Sequence, residues 1–300
     1  MSTARQITIP SRLPEWLRRP IAASGQFSKV NGLLDDLAVN TVCQSAKCPN
    51  RGECFASGTA TFLIMGDACT RGCRFCAVET RAPEPLDADE PRRVAEAAAA
   101  LELRHVVITT VTRDDIADGG AAHFVAVLEA VRSAVPAADI EVLTSDFGGR
   151  LENVDTVAAA RPDVYNHNLE TVPRLYEEVR PGADYARSLA VLARVHETQP
   201  DLPTKSGLML GLGETPEEVH EVMDDLLANG VSILTLGQYL RPSAAHLPVL
   251  EYVDPSVFAE LSREAYRKGF SAVASAPYVR SSYHAGELAE KAEASDGVTA

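Results

Sequence analysis

Short apolar runs alternate with longer amphipathic segments between about residue 61 and residue 276. Apolar runs bounded by polar residues predict buried strands, and the amphipathic segments between them predict helices. The predicted strands are 61–65, 105–111, 140–143, 163–169, 204–212 and 231–237, with a last apolar piece at 271–276. The predicted helices are 90–101, 121–134, 154–160, 189–197, 216–229 and 256–268. Thr215 is expected to cap the helix at 216–229, and Gly230 to end it.

Strands that alternate with helices are typical of a parallel sheet with crossover helices, and therefore of an α/β protein. About six repeats predict a partial (β/α)6-type TIM barrel rather than two domains. In such barrels the chemistry gathers at the carboxyl ends of the strands. We expect three parts: an irregular extension at 1–60 that carries three cysteines, the barrel at 61–276, and a tail at 277–300.

Composition excludes several classes of function. The chain has 300 residues, 46% of them hydrophobic, and a formal net charge of −14. So acidic a chain is a poor sequence-independent binder of nucleic acid, which needs clustered cations. No run of about 18 apolar residues is present to cross a membrane. The first 20 residues also lack the continuous apolar run of a secretory signal, so we expect a cytoplasmic protein.

All six cysteines fall between residues 43 and 76, in two groups of three. In a reducing compartment, such grouping favours metal ligands or catalytic groups over disulfides. The upstream triplet has the spacing C-x4-C-x5-C and the downstream triplet, directly after the first predicted strand, has C-x3-C-x2-C. The two triplets are Cys43, Cys48 and Cys54, and Cys69, Cys73 and Cys76.

Three interpretations of the triplets are open at this point. Packed core cysteines would be scattered rather than grouped. A structural zinc site needs four donors for each ion, and the nearest histidine downstream is His105, in the second predicted strand. An iron–sulfur cubane has four iron corners and is held by thiolates. Three cysteines would hold three irons and leave the fourth iron open for another ligand.

The segment DACTRGCRFCAVET at 67–80 resembles the signature loop of the radical S-adenosylmethionine superfamily, including the aromatic Phe75 before the last cysteine. The resemblance implies that the open iron binds the amino and carboxylate groups of S-adenosylmethionine. One-electron reduction then cleaves this cofactor and produces a 5′-deoxyadenosyl radical. Asn168 and Glu170, at the end of a predicted strand, are candidates to bind the ribose or amino group. Arg180 is a candidate to bind the carboxylate.

With the upstream triplet, the likeness narrows to the lipoyl synthase family. The matching segments are KCPNRGEC, GDACTRGCRFCAV, VTRDDIADGGA, YNHNLETV, RPGADY, KSGLMLGLGE, GQYLRPS and VRSSYHAGE, in this order. The resemblance implies an auxiliary [4Fe–4S] cluster on the upstream triplet, with Ser282 as its fourth ligand and Ser281 as the alternative. A serine oxygen binds such iron more weakly than a thiolate, which suits a cluster that is consumed. A ligand from the tail would fold the tail over the barrel mouth.

The resemblance also implies a reaction and its partners. Two sulfur atoms from the auxiliary cluster are inserted at C6 and C8 of a protein-bound octanoyl-lysine, which makes the protein a sulfurtransferase with two [4Fe–4S] clusters. Expected partners are an octanoylated lipoyl carrier, such as the glycine cleavage H protein or a 2-oxoacid dehydrogenase E2, an electron donor such as ferredoxin or flavodoxin, and an iron–sulfur carrier. No nucleic-acid or membrane partner is expected, and the chain is expected to be a monomer.

Two other functions are alternatives. One is a paralogous radical S-adenosylmethionine enzyme whose second cluster transfers electrons or whose acyl acceptor differs. The other is a non-enzymatic cluster or zinc module.

A few further residues lie at predicted strand ends or inside strands. For Lys205, a buried ion pair and a contact with a ligand are the two alternative interpretations. The loop after the second strand carries Arg113, Asp114 and Asp115, for which solvation and function are both open. Gln238, Tyr239 and Arg241 are expected to line the path of the octanoyl-lysine.

Overall fold

Seven parallel strands form the main sheet of the computed structural model, which describes residues 13–18, 25–56 and 60–296. The strands of this sheet are β1 (Thr61–Ile64), β4 (His105–Thr110), β5 (Asp139–Leu143), β6 (Val164–Asn166), β7 (Thr204–Leu210), β8 (Ile233–Gln238) and β9 (Ala272–Ser275). They follow one another in this order across the sheet. A separate parallel pair is formed by β2 (Ala68–Cys69) and β3 (Glu79–Thr80). The α/β class and the partial-barrel arrangement are confirmed, with the last apolar piece as a seventh strand.

Helices connect the strands and flank the sheet. They are α1 (Gly25–Asp36), α2 (Val42–Ser45), α3 (Arg51–Ala56), α4 (Glu90–Ala100), α5 (Ala121–Ala134), α6 (Leu151–Ala159), α7 (Tyr176–Val179), α8 (Tyr185–Thr198), α9 (Pro216–Ala228), α10 (Pro255–Lys268) and α11 (Ala285–Asp296). The predicted cap of α9 is confirmed. Thr215 accepts a hydrogen bond from the amide of Glu218, whose side chain bonds back to Thr215. Gly230 follows the helix with a φ of 79°.

Alternate side chains of the strands face the helices and the inside of the barrel. In β1, Phe62 and Ile64 are buried in the apolar core beneath the helices, whereas Thr61 and Leu63 line the interior. In β4, Ile108 belongs to the same core, whereas Thr109 lines the interior. This alternation follows from the two-residue period of a strand. The outer face therefore packs against the helices, and the inner face lines the cavity with both apolar and polar side chains.

The C-terminal tail lies at the other end of the barrel from the one predicted. Ser281 lies beside Asn168 in the barrel interior, and the next residue, Ser282, contacts Thr61 at the amino end of β1. The segment then enters α11, whose Leu288 and Ala292 pack with residues at the amino ends of β6, β8 and β9. The tail thus passes through the barrel and covers the amino ends of the strands, not the carboxyl mouth.

The expectation that residues 1–60 are irregular is wrong for the part of this segment that the structure describes. Three helices occur there, α1 to α3. The periodic apolar positions Phe27, Val30, Leu34 and Leu37 were the available signal, because their spacing places them on one helix face. Val30 and Leu34 are fully buried in the main core. Predictions for residues 1–12, 19–24, 57–59 and 297–300 lie outside the described residues.

Among the described residues, no helix combines the length and the apolar character needed to cross a membrane.

Candidate active site

A cavity of about 1170 Å³ runs through the interior of the barrel. All six cysteines line it, although the two triplets are supplied by different parts of the fold. The downstream triplet lies at the carboxyl ends of the strands, and Cys43 lies near the amino end of β1. A cavity of this volume holds a nucleoside-sized cofactor together with an extended acyl chain.

The loop of the downstream triplet is fixed by backbone hydrogen bonds. The amides of Arg71 and Thr112 donate to the sulfur of Cys69, at 3.5 and 3.3 Å. His246 Nε2 donates to the carbonyl oxygen of Cys76 at 3.0 Å. Amide donors to a cysteine sulfur suit a thiolate ligand, because hydrogen bonds around a cluster orient and tune its ligands.

Burial controls the charge state of these thiols. It raises the pKa of Cys76 to about 12. It also raises the pKa of Cys73, an effect that the guanidinium of Arg180 opposes through its charge and a hydrogen bond to the sulfur. Buried thiols stay protonated unless a cation compensates the thiolate, and a coordinating metal removes the proton outright.

Asn168, Glu170 and Arg180, the three polar residues predicted to bind the cofactor, lie together beside this loop. Asn168 Nδ2 donates to Glu170 Oε1 at 3.0 Å. Arg180 Nη1 donates to the backbone carbonyls of Asn168 and Leu169, at 2.9 and 3.0 Å. Burial raises the pKa of Glu170, and the nearby charge of Arg180 opposes this. All three residues line the cavity, as does Phe75.

Several polar atoms in this region are buried without a hydrogen-bond partner among the described residues. They include Asn168 Oδ1, Arg180 Nε and His167 Nε2. His167 Nδ1 donates to the carbonyl of Thr144 at 2.9 Å, so Nε2 is the acceptor nitrogen of a neutral ring. Burial lowers the pKa of His167 to about 4, which keeps the ring neutral at physiological pH. Unpartnered buried groups are costly unless a ligand satisfies them, so this end of the cavity suits a polar cofactor.

Glu170 is also held in an uncommon backbone conformation, with a φ of 67°. Its amide donates to the carbonyl of Gly207, and its carbonyl accepts from Met209. The chain has already left β6 at Asn166, and Glu170 lines the cavity. Such a left-handed conformation costs free energy for a residue other than glycine, and strain of this kind concentrates at functional sites.

The upstream triplet and the tail meet at the opposite end of the cavity. Thr61 Oγ1 donates to Ser282 Oγ at 2.8 Å. Thr61 also contacts the sulfur of Cys43 through its amide and its hydroxyl. Burial raises the pKa of Cys43 to about 11, and the neighbouring Cys48 adds to this rise. Thr61 therefore links Ser282 to Cys43, although these two residues lie about 240 positions apart in the chain.

Ser281 lies elsewhere. Its hydroxyl accepts a hydrogen bond from Asn168 Nδ2 at 2.6 Å, in the middle of the barrel. Between the two candidate serines, the contact through Thr61 favours Ser282 as the partner of the upstream cysteines.

The donor set fits iron–sulfur clusters. All six cysteines are free thiols, and each triplet faces the cavity with no more than three thiols. Among the described residues, no three His, Cys, Asp or Glu side chains are arranged to hold a single metal ion. The ligands of a cubane bind different iron atoms, so they need not converge on one point.

The remaining predicted residues have structural partners. Lys205 forms a buried ion pair with Glu141, with Nζ at 2.9 Å from both carboxylate oxygens. Tyr239 and Arg241 line the cavity, but their polar groups bond to backbone carbonyls of the following loop. Gln238 does not line it and bonds to the backbone around Glu251, so its predicted place on the octanoyl path is wrong.

The loop after β4 supports the cysteine loop from outside. Arg113 is paired with Asp115 at 2.9 Å and donates to the carbonyl of Met65. Asp114 accepts from Arg71 Nε at 2.7 Å. These contacts explain the charge in this segment without any role at the reacting atoms.

Sequence reasoning missed residues that connect distant parts of the site. Thr61 joins Cys43 to Ser282, and Asn50 Nδ2 donates to the carbonyl of Tyr278 at 2.7 Å. Arg280 lies close enough to Cys48 and Glu170 to interact with both through its charge. No local sequence signal marks these contacts, because all of them except Thr61–Cys43 join residues more than 100 positions apart.

Comparison with known proteins places this geometry in context. The family model of the Radical SAM superfamily matches residues 63–226. A protein named lipoyl synthase from Methylococcus capsulatus is 55% identical over 281 residues, which cover 93% of this chain and 87% of that protein. Another of the same name, from Caldanaerobacter subterraneus subsp. tengcongensis, is 57% identical over 274 residues, covering 91% of this chain and 96% of that protein.

Solved structures agree on the fold. The FeFe-hydrogenase maturase HydG from Carboxydothermus hydrogenoformans matches with a TM-score of 0.56 and 16% identity, over 88% of this chain and 67% of that chain. At that identity the likeness concerns the barrel alone.

Proposed function

The chain belongs to the lipoyl synthase family of the radical S-adenosylmethionine superfamily, and from this membership we propose how its cavity inserts sulfur into a protein-bound octanoyl chain. S-adenosylmethionine and the iron–sulfur clusters, when bound, supply the one-electron chemistry and the sulfur. The residues of the chain bind and orient these groups and exclude water.

At the carboxyl end of the barrel, Cys69, Cys73 and Cys76 hold one [4Fe–4S] cluster. Arg180 pairs with the carboxylate of S-adenosylmethionine, since a guanidinium suits planar recognition of such a group. Asn168 and Glu170 accept hydrogen bonds from its ribose hydroxyls or its amino group, and Phe75 contributes an apolar wall. The support is the buried, partly unpartnered set of polar atoms beside the loop.

At the amino end, Cys43, Cys48, Cys54 and Ser282 hold a second [4Fe–4S] cluster, which is the sulfur donor. The observation that carries the proposal is the position of the two triplets on one cavity, with an open interior between them. An acyl chain in that interior would lie between the two triplets, so that C6 and C8 could each be reached from both sides. Hydrogen is removed at one side of the chain, and sulfur is supplied from the other.

The acyl chain arrives on a carrier protein, because the family acts on lipoyl carriers. The glycine cleavage H protein and the E2 subunits of 2-oxoacid dehydrogenases are the carriers we propose. The electron donor is a ferredoxin or flavodoxin, and an iron–sulfur carrier rebuilds the consumed cluster. The reaction takes place in the cytoplasm, which the six free thiols support. The proposed enzyme is a monomer.

The decisive experiment uses reduced, reconstituted protein with S-adenosylmethionine and an octanoyl-lysine peptide, without added sulfide. A dithiolated peptide is expected, at no more than about one per chain, since the auxiliary cluster is the donor. Formation of 5′-deoxyadenosine without thiolation would instead support a second cluster that transfers electrons. A colourless, zinc-loaded protein after anaerobic purification would contradict both.

The two serines offer a matched test of the fourth ligand. We expect Ser282→Ala to lower sulfur insertion by at least about tenfold, because loss of a group that holds a metal typically costs that much. Ser281→Ala removes one hydrogen bond to Asn168, which is worth about fivefold or less. Cleavage of S-adenosylmethionine stays measurable in both variants. Product is quantified by mass spectrometry, and the auxiliary cluster by its electron paramagnetic resonance signal. A larger loss in Ser281→Ala would assign the ligand to Ser281.

A further inference from the structure

A second, smaller cleft of about 500 Å³ lies on the back of the loop that carries the downstream triplet. We call it the outer cleft, lined by Thr70, Arg71, Gly72, Asp114, Arg150 and Arg187. Residues 70–72 are the three positions between Cys69 and Cys73. The floor of the outer cleft is therefore the reverse side of the cysteine loop, and Arg71 lines both this cleft and the central cavity.

The outer cleft is cationic, in contrast to the chain as a whole. Arg71 is neutralised by two carboxylates, with Nε at 2.7 Å from Asp114 and Nη2 at 2.7 Å from Asp146. Arg187 shares Asp146, at 3.1 Å. The outer cleft thus holds three guanidinium groups, two carboxylates pair with them, and a third carboxylate, Asp118, acts on Arg150 through its charge.

Arg150 forms no ion pair within 4.0 Å in the part of the chain that the structure describes. Among the described residues, its guanidinium makes one long hydrogen bond, from Nη2 to the carbonyl of Ile116 at 3.4 Å, and its Nε has no partner. A guanidinium presents five donors, and because the Nε of Arg150 is buried, its terminal nitrogens are the donors left for an anionic partner. Carboxylates are the groups that it pairs with in two parallel hydrogen bonds.

The outer cleft is also connected to a cluster ligand by a very short path. The side chain of Arg71 forms part of the cleft, and its backbone amide donates to the sulfur of Cys69 at 3.5 Å. Thr70 Oγ1 donates to the carbonyl of Thr112, whose amide donates to the same sulfur at 3.3 Å. A group bound in the outer cleft contacts Arg71, and Arg71 itself contacts the sulfur of Cys69.

This position matters because the cluster has to receive an electron for each cleavage of S-adenosylmethionine. In the proposed function, the central cavity is filled by the cofactor and the acyl chain, so a protein reductant cannot reach the cluster from inside. Electron transfer through protein weakens steeply with distance. The reductant therefore has to dock on the outer side of the cysteine loop, where Arg71 alone separates the surface from the sulfur of Cys69.

We propose that the outer cleft is the docking site of an acidic one-electron carrier protein, whose surface carboxylates pair with Arg150 and Arg187. The proposal rests on the proposed function, since it names where the electron enters. In the docked complex the carrier is oxidised by one electron and the cluster is reduced by one electron. Docking itself makes and breaks no covalent bond. Opposite charge also accelerates the encounter of two proteins and makes it sensitive to salt.

The test compares two reductants on one pair of variants, with reduced flavodoxin as the acidic protein and dithionite as the small reductant. We expect R150Q/R187Q to lower kcat/KM for reduced flavodoxin by about tenfold at low ionic strength. The Kd of flavodoxin weakens to a similar degree, and the salt dependence of its association becomes shallower. The dithionite-driven rate of 5′-deoxyadenosine formation stays within about twofold, because neither residue contacts the cluster ligands.

The matched control is R92Q/R267Q, which removes the same charge from exposed arginines on α4 and α10 and is expected to leave both rates unchanged. Equal losses with dithionite and flavodoxin would show that the variant merely distorts the loop and would overturn the proposal. Unchanged flavodoxin kinetics and affinity would overturn it as well. If the parent protein cleaves no S-adenosylmethionine with either reductant, the proposed function fails, and the flavodoxin Kd of the two double variants still decides the docking site.

Discussion

The Cys73→Ala variant is expected to lose all cleavage of S-adenosylmethionine, whereas the Cys43→Ala variant keeps cleavage and loses sulfur insertion. The reason is the separation of the two triplets along one cavity. Cys73 lies beside Arg180 and Glu170, where the cofactor is proposed to bind. Cys43 contacts Thr61 at the amino end of β1, and its loss leaves the other loop intact.

The measurements are 5′-deoxyadenosine, dithiolated peptide and iron content for each variant. Two clusters predict about eight irons per chain, and each cysteine variant should fall to about four. Ser45→Ala, on the same short helix as Cys43, is the matched control and should keep both products. If alanine variants of the two triplets had the same phenotype with native-like folding, the assignment of separate roles would be wrong.

Glu141→Ala is expected to destabilise the protein by about 3–5 kcal/mol, since it leaves a buried lysine without its partner. Both side chains of the Lys205–Glu141 pair are 1% exposed. Asn166 Nδ2 donates to the same carboxylate at 3.0 Å, so the network joins three neighbouring strands, β5, β6 and β7. Replacing both members, as in E141L/K205M, is expected to be far less costly, because no buried charge then stays uncompensated.

The loss is measured as a shift of the urea unfolding midpoint, with the clusters kept intact under anaerobic conditions. Glu96→Ala breaks the exposed pair with Arg92 and should change stability by less than about 1 kcal/mol. A double variant as unstable as Glu141→Ala would show that packing, not charge, dominates at this position.

The same pair predicts a dependence on pH. Burial raises the pKa of Glu141, but the charge and the hydrogen bonds of Lys205 outweigh it, so the pKa is lowered overall. A carboxyl group whose folded pKa is lowered contributes stability above its unfolded pKa of about 4.3 and loses it as the pH falls further. Below that pH the stability of the parent should decline more steeply than that of E141L/K205M.

The sequence by itself determined the barrel and singled out the six cysteines as candidate cluster ligands. Strand and helix positions followed from local periodicity, because each element buries one face against its neighbours. The fourth strand is shorter than predicted: β6 ends at Asn166, and the chain turns into the cavity from His167 onward. Asn168 and Glu170 could be predicted as candidate site residues because they follow a strand, and strand ends meet at one edge of a parallel sheet.

Only the tertiary structure decided how the distant segments meet. The sequence gives no sign that Ser282 lies beside Thr61, that Glu141 pairs with Lys205, or that Arg150 and Arg187 share a cleft behind Arg71. These contacts join residues between about 35 and 220 positions apart, and their geometry depends on how the whole sheet twists and closes. Local spacing specifies which residues can act as ligands. The curvature of the whole sheet, which costs chain entropy and is stabilised by the buried faces of its strands, decides where each candidate ligand lies.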